Sequence, residues 1–141
     1  VGSAHPWRPS FFDRLRTNLT AGNPVEVFDH EYHSWISIRD AVGGIQTLLT
    51  ELTTNNPKNT LFHLGGLTRL SAFEMAKLFA QRTGLPSEKI LVKKRVVQKG
   101  MLPLAEGERF DFSLNSSEFI RAVGFRATPI DQTVGTAFVL E

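Results

Sequence analysis

Ile38, Ala41, Val42, Ile45, Leu48, Leu49 and Leu52 recur at intervals of three and four, the period of one face of an α-helix. This is the most regular apolar stripe in the chain. Asp40, in the first turn of that stretch, suits the positive end of the helix dipole. The run closes in the turn-forming sequence Asn55-Asn56-Pro57.

Other elements can be placed around this helix. Ser10 stands before Phe11, Phe12, Leu15 and Leu19, with Gly22 and Pro24 as a stop, which predicts a short amphipathic helix. Ser71 and Glu74 have capping-box spacing ahead of Phe73, Ala76, Phe79 and Ala80, and Gly84 and Pro86 close that helix. A last short helix is expected through Phe119, Ile120 and Val123, capped by Ser116 or Ser117 and stopped at Gly124. The tail from Pro129 is expected to add one more turn or helix. Strands are expected over Val25 to Phe28, Ser34 to Ile38, Thr60 to Leu64 and Lys89 to Val97, with a loop from Lys99 to Glu108. Helices and strands alternate, so the pattern reads as α/β or α+β with a small sheet, of which α/β is the expected class, and as one domain over 1–141.

Composition excludes several functions. The chain has 141 residues, 41% hydrophobic and 21% charged, as in ordinary globular domains. Sixteen basic against fourteen acidic residues give a net charge of +2, too little to imply nucleic acid or a membrane surface as partner. No apolar run approaches the roughly 18 residues of a membrane span. The absence of cysteine excludes a disulfide scaffold and a thiol nucleophile and fits a reducing compartment, by default the cytoplasm.

Three stretches in order carry a family resemblance. They are Val1-Gly2 through SFFDRLRTNLTAGNPVEVFDHEYHSWISIRDAV, ending at Val42; TLFHLGGLTRLSAFEMAKLFAQRTGLP, Thr60 to Pro86; and GERFDFSLNSSEFIRAVGF, Gly107 to Phe125. Together they resemble the C-terminal half of an extended short-chain dehydrogenase/reductase. Within that superfamily the likeness is to the dTDP-4-dehydrorhamnose reductase type, including its non-catalytic relative, the regulatory beta subunit of methionine adenosyltransferase. The resemblance implies the C-terminal portion of a Rossmann-type, NAD(P)-binding enzyme acting on a sugar nucleotide. It also implies that the N-terminal dinucleotide-binding part is absent here, because Val1-Gly2 resembles an interior Val-Tyr-Gly of the family.

The residues agree with a chain that lacks the cofactor machinery. A reductase of this type needs a glycine-rich turn beneath the pyrophosphate and a tyrosine acid/base with a lysine four residues on. The only tyrosine is Tyr32, and Ile36 stands four residues later. Gly65-Gly66 is followed by Leu67-Thr68-Arg69 without a third glycine. NAD(P) is therefore expected in the intact protein and not on this chain alone, which should be inactive by itself.

By resemblance, His5, Trp7, Arg8 and Ser10 fall where related enzymes face the sugar nucleotide. A tryptophan can stack on a planar face and an arginine can pair with a diphosphate; alternatively, Trp7 and Pro9 only pack the loop. Arg109 is the other candidate. Arg109, Asp111, Leu114 and Phe119 resemble the family run Arg-Pro-x-Asp-x-x-Leu-Asp-x-x-Lys-Leu, with one residue fewer between Arg109 and Asp111 and with Phe110, Asn115 and Glu118 as departures. In related enzymes this segment closes on the substrate; a solvated Arg109 paired with Asp111 is the other reading. Asp29, His30, Glu31, Tyr32 and His33 include possible metal ligands, but adjacent strand residues alternate faces and do not converge on one ion. His63 reads as a hydrogen-bonded strand residue, and Lys93-Lys94-Arg95 as a solvated strand end.

Two functions compete, with a free-standing α/β binding module that shares only short motifs as a third. One is the substrate-binding portion of a sugar-nucleotide reductase or epimerase, with a homo-oligomer or protein partner left open. The other, favoured by Phe110, Asn115 and Glu118, is a regulatory or scaffolding relative without turnover.

Overall fold

The computed structural model describes residues 8–54, 61–93 and 109–136. The chain divides into two compact units, one of Ser3–His33 and Leu70–Phe112, the other of Val1–Gly2, Ser34–Arg69 and Ser113–Glu141. The class is α/β, with small sheets and helices.

In the first of these units, helix α1 (Phe11–Thr20) starts in a full capping box: the Ser10 hydroxyl accepts from Asp13 N–H, and the Asp13 carboxylate accepts from Ser10 N–H at 3.0 Å. Its apolar residues Phe12, Leu15 and Leu19 are buried. Strand β1 (Val25–Val27) pairs in parallel with β4 (Ile90–Val92), Val25 opposite Ile90. Helix α3 (Ala72–Thr83) packs against α1 and both of these strands. Met75, Ala76, Phe79 and Ala80 form its core face, with the Phe79 ring 5.1 Å from that of Phe12. The Ser71–Glu74 capping box and a left-handed Gly84 at the C-terminus bound α3 as the sequence predicts. A second sheet has the order β3 (Arg69–Ser71), β2 (Glu31–Ser34), β5 (Phe110–Asp111), and β2 and β5 run parallel with Tyr32 opposite Asp111.

The other unit is built on α2 (Ile38–Thr54), α4 (Ser117–Val123) and the short α5 (Ile130–Thr133). Ser37 caps the start of α2, its hydroxyl accepting from Asp40 N–H at 3.0 Å. Asp40 in turn accepts from the Thr128 hydroxyl at 3.1 Å and from its N–H at 3.3 Å. Phe119, Val123, Ala127, Ile130 and Val134 are buried, and Phe119 meets Phe62 and Phe125 edge-on. Gly43 and Gly44 let α2 approach this cluster closely: a Cβ on Gly44 would lie 2.8 Å from Leu64 and 3.2 Å from Phe125.

Several expectations are corrected. The strand expected at Ser34 to Ile38 is displaced to Glu31–Ser34, because Ile38 already opens α2. Residues 61–66 are not in a strand, and His63 is exposed there instead of sitting in a ladder. That segment is held by point contacts, Gly65 N–H donating to the Ser116 hydroxyl at 2.8 Å and Gly66 N–H to the Ser34 carbonyl at 3.5 Å. Lys89 ends a 3₁₀ turn (Ser87–Lys89), so β4 begins one residue later. Neither serine caps α4 through its side chain: Ser116 is turned to Gly65, and the Asn115 side-chain Oδ1 accepts from Ser117 N–H at 3.0 Å. Most of the α2 stripe faces away from the unit's own core, with Ile38, Val42, Ile45, Leu49 and Leu52 exposed. Asn55-Asn56-Pro57 and the loop from Lys99 lie outside the described residues.

Candidate functional site

Strands β2 and β5 bring together residues that are far apart in sequence. Phe110 N–H donates to the His30 carbonyl at 2.7 Å, and Phe112 N–H to the Tyr32 carbonyl at 2.8 Å. This register sets Arg109, just before β5, beside the start of β2. A cleft of about 440 Å³ opens there, lined by Asp29, His30 and Tyr32, by Ser71, Phe73 and Glu74 from the start of α3, and by Arg109.

Its floor is aromatic. Tyr32 is buried at 8% exposure, and the Arg109 guanidinium carbon lies 5.5 Å from its ring centroid, within cation–π range. The His30 ring meets Phe28 edge-on at 5.2 Å and Phe110 at 6.1 Å. Its Nδ1 is 3.4 Å from the Asp29 carboxylate, while its buried Nε2 has no hydrogen-bond partner among the described residues.

The charges in the cleft are not equally engaged. Glu74 turns back to accept from Ser71 N–H at 2.7 Å, completing the α3 capping box. Asp29 lies against His30. The pairing of Arg109 with Asp111 does not form, and among the described residues no carboxylate lies within ion-pair distance of Arg109. An exposed guanidinium seated on an aromatic ring, with its donors unclaimed by carboxylate among the described residues, is equipped to take an anion such as a phosphate.

Of the residues singled out from sequence, Arg109 lines this cleft. Arg8 is exposed, and neither it nor Ser10 is among the lining residues. The Ser10 hydroxyl is engaged by Asp13 in the α1 cap. His5 and Trp7 lie outside the described residues. Sequence reasoning missed Tyr32 and His30 as neighbours of Arg109, because only the β2–β5 register joins them. Among the described residues no three His, Cys, Asp or Glu side chains converge as metal ligands. Lys93 is exposed directly after β4, with its ammonium 5.1 Å from the Phe28 ring centroid, and Lys94 and Arg95 lie outside the described residues.

The backbone is similar to those of three sugar-nucleotide enzymes. A UDP-galactose 4-epimerase structure superposes with a TM-score of 0.65 at 16% identity, covering 100% of this chain and 44% of that one. The dTDP-glucose 4,6-dehydratase of Bacillus anthracis in complex with NAD gives 0.64 at 11% identity, covering 94% and 39%. The fold of this chain is that of part of each of these two structures. The UDP-glucuronic acid 4-epimerase of Bacillus cereus in complex with NAD gives 0.57 at 15% identity, covering 84% and 32%. The chain therefore spans less than half the length of each of these three structures. No protein-family model matches the sequence, and no curated protein matches it. Among the described residues no helix is long and apolar enough to cross a membrane.

Proposed function

We propose that this chain is the substrate-binding portion of an NAD(P)-dependent sugar-nucleotide enzyme. A reductase of the dTDP-4-dehydrorhamnose type is the first reading, and an epimerase the nearest variant. The observation that carries it is the Arg109 guanidinium, without a carboxylate partner among the described residues, over the buried Tyr32 ring. Arg109 holds the diphosphate through paired N–H donors, and the aromatic floor supports the apolar face of the sugar or base. Three similar structures named for UDP- and dTDP-sugars, two of them with NAD, support this assignment.

The dinucleotide belongs to a part of the intact protein that this chain lacks, so the chain alone binds no NAD(P) and turns nothing over. His5, Trp7, Arg8 and Ser10 are proposed as further substrate contacts from the preceding loop. The absence of cysteine supports a reducing compartment, the cytoplasm by default.

Isothermal calorimetry with dTDP- and UDP-sugars, set against NADH and NADPH, tests this reading. Sugar-nucleotide binding that is lost in Arg109→Ala, with no response to either dinucleotide, is expected. Binding of a dinucleotide by this chain, or sugar-nucleotide binding indifferent to Arg109, would overturn it.

A regulatory relative without turnover is the second reading. Glu118, where the family run has lysine, pairs with Arg121 on the exposed face of α4. A cation is thereby removed from the segment that closes on substrate in the catalytic relatives. Reduction of a 4-keto sugar nucleotide by the intact protein with NADPH would exclude it.

A further inference from the structure

The charges lining the cleft do not by themselves suit a diphosphate. Its described lining residues carry one guanidinium, Arg109, against two carboxylates, Asp29 and Glu74. Glu74 accepts from Ser71 N–H at 2.7 Å as part of the α3 cap, so it remains an anion at the cleft wall. A diphosphate adds negative charge to this set, and like charges at close range oppose binding.

His30 is the lining group that can change the balance. Its side chain is 13% exposed and packs against the rings of Phe28 and Phe110. The His30 carbonyl accepts from Phe110 N–H at 2.7 Å, which ties it to the segment that carries Arg109. Its Nδ1 faces the Asp29 carboxylate at 3.4 Å. A carboxylate accepts only from a protonated nitrogen, so in the neutral ring the proton sits on Nδ1 and Nε2 is a bare lone pair. That lone pair is buried and without a donor among the described residues, an arrangement that costs stability and calls for a partner. The ionisable groups around the ring are Asp29 beside it, Arg109 just before β5, Tyr32 in the cleft floor, Glu74 on α3, and Lys93 over the Phe28 ring. Glu31, His33 and Asp111 are the other ionisable residues of β2 and β5.

We infer that His30 is the second anion contact of this cleft and that it takes up a proton when the ligand binds. Nε2 receives the proton from solvent and its N–H donates to a phosphoryl oxygen, while Nδ1–H remains directed at Asp29. The inference rests on the proposed function in placing a diphosphate at Arg109. Two cations, Arg109 and His30, then stand against the two carboxylates, and the Asp29 carboxylate supports the imidazolium. Nε2 is buried in this structure, so the ring tilts to present it; the side-chain hydrogen bond under strain in that motion is the long one to Asp29.

Calorimetric titration of this chain with UDP-glucose, from about pH 6 to about pH 8 in buffers of small and large ionisation enthalpy, tests the inference. A diphosphate diester neither gains nor loses a proton in that range, so any proton exchanged belongs to the protein. Uptake of at least about half a proton per ligand is expected near neutral pH, with binding weakened about tenfold from the acid to the alkaline end. His30→Gln should abolish both the uptake and the pH dependence, and His33→Gln should keep both. Circular dichroism checks that the variants fold, and the titration of the unaltered chain decides the matter even if one does not. Dimethyl diphosphate serves as a second probe, with the diester but neither sugar nor base.

UDP-glucose binding with no proton exchange would overturn this inference alone. Uptake that persists in a folded His30→Gln chain would also overturn it, by assigning the proton to another group. Proton-linked binding of dimethyl diphosphate as tight as that of UDP-glucose would support the inference and retire the sugar-nucleotide reading alone. Binding of neither probe would overturn both.

Discussion

The Arg109 guanidinium carbon sits 5.5 Å from the centroid of the Tyr32 ring, the first exposed and the second buried. The two residues should therefore respond differently to truncation. Tyr32→Ala removes a core ring and is expected to cost about 3 kcal/mol of stability. Arg109→Ala forfeits an exposed cation–π contact and is expected to cost less than about 1 kcal/mol, while abolishing sugar-nucleotide binding. Urea unfolding of both variants checks this, and an equally large loss for Arg109→Ala would make it a structural residue.

The helix starts at Ser10 and Ser71 are closed by reciprocal hydrogen bonds to Asp13 and Glu74. Ser10→Ala and Ser71→Ala should each lower stability by about 1 kcal/mol. The second should cost at least as much as the first, because Ser71 is 1% exposed and its loss leaves capping partners out of reach of water. Thermal denaturation followed by circular dichroism resolves the comparison.

Two glycines are required for different reasons. A Cβ on Gly66 would lie 1.6 Å from the Trp35 carbonyl oxygen, whereas Gly84 has a φ of +69° and nothing within 4 Å. Gly66→Ala forces backbone to move and is expected to cost at least about 3 kcal/mol. Gly84→Ala meets only the left-handed backbone penalty, about 1 kcal/mol. Similar losses at the two positions in denaturant melts would contradict this account.

Ser116 and Asn115 divide the work expected of one cap. Ser116 is buried and its hydroxyl accepts from Gly65 N–H, while exposed Asn115 accepts from Ser117. Ser116→Ala leaves a buried N–H without its acceptor and should cost about 2 kcal/mol. Asn115→Ala should cost about 1 kcal/mol, and Asn115→Asp should be nearly silent because the carboxylate also caps. Amide hydrogen exchange at Gly65 should accelerate in Ser116→Ala alone.

Legibility followed the range of the interactions. The α3 boundaries were readable because Ser71, Glu74 and Gly84 act within a turn of the residues they cap. Strand β2 was misplaced because Trp35 and Ile36 are the apolar pair in that region, whereas the strand is Glu-Tyr-His-Ser and its one buried residue is Tyr32. Of the cleft, Arg109 could be singled out by family likeness, but its seat on Tyr32 could not. That pairing depends on hydrogen bonds between β2 and β5, elements separated by most of the chain.

The sequence by itself determined that residues 38–52 form an amphipathic helix, since a three-four apolar period and the Ser37–Asp40 cap act locally. It did not determine which side of that helix meets the unit's own core. Tertiary structure decided this through Gly43 and Gly44, whose missing side chains admit Phe125 and Leu64. Close packing there turned the apolar stripe outward, because one helix face cannot lie against two surfaces at once.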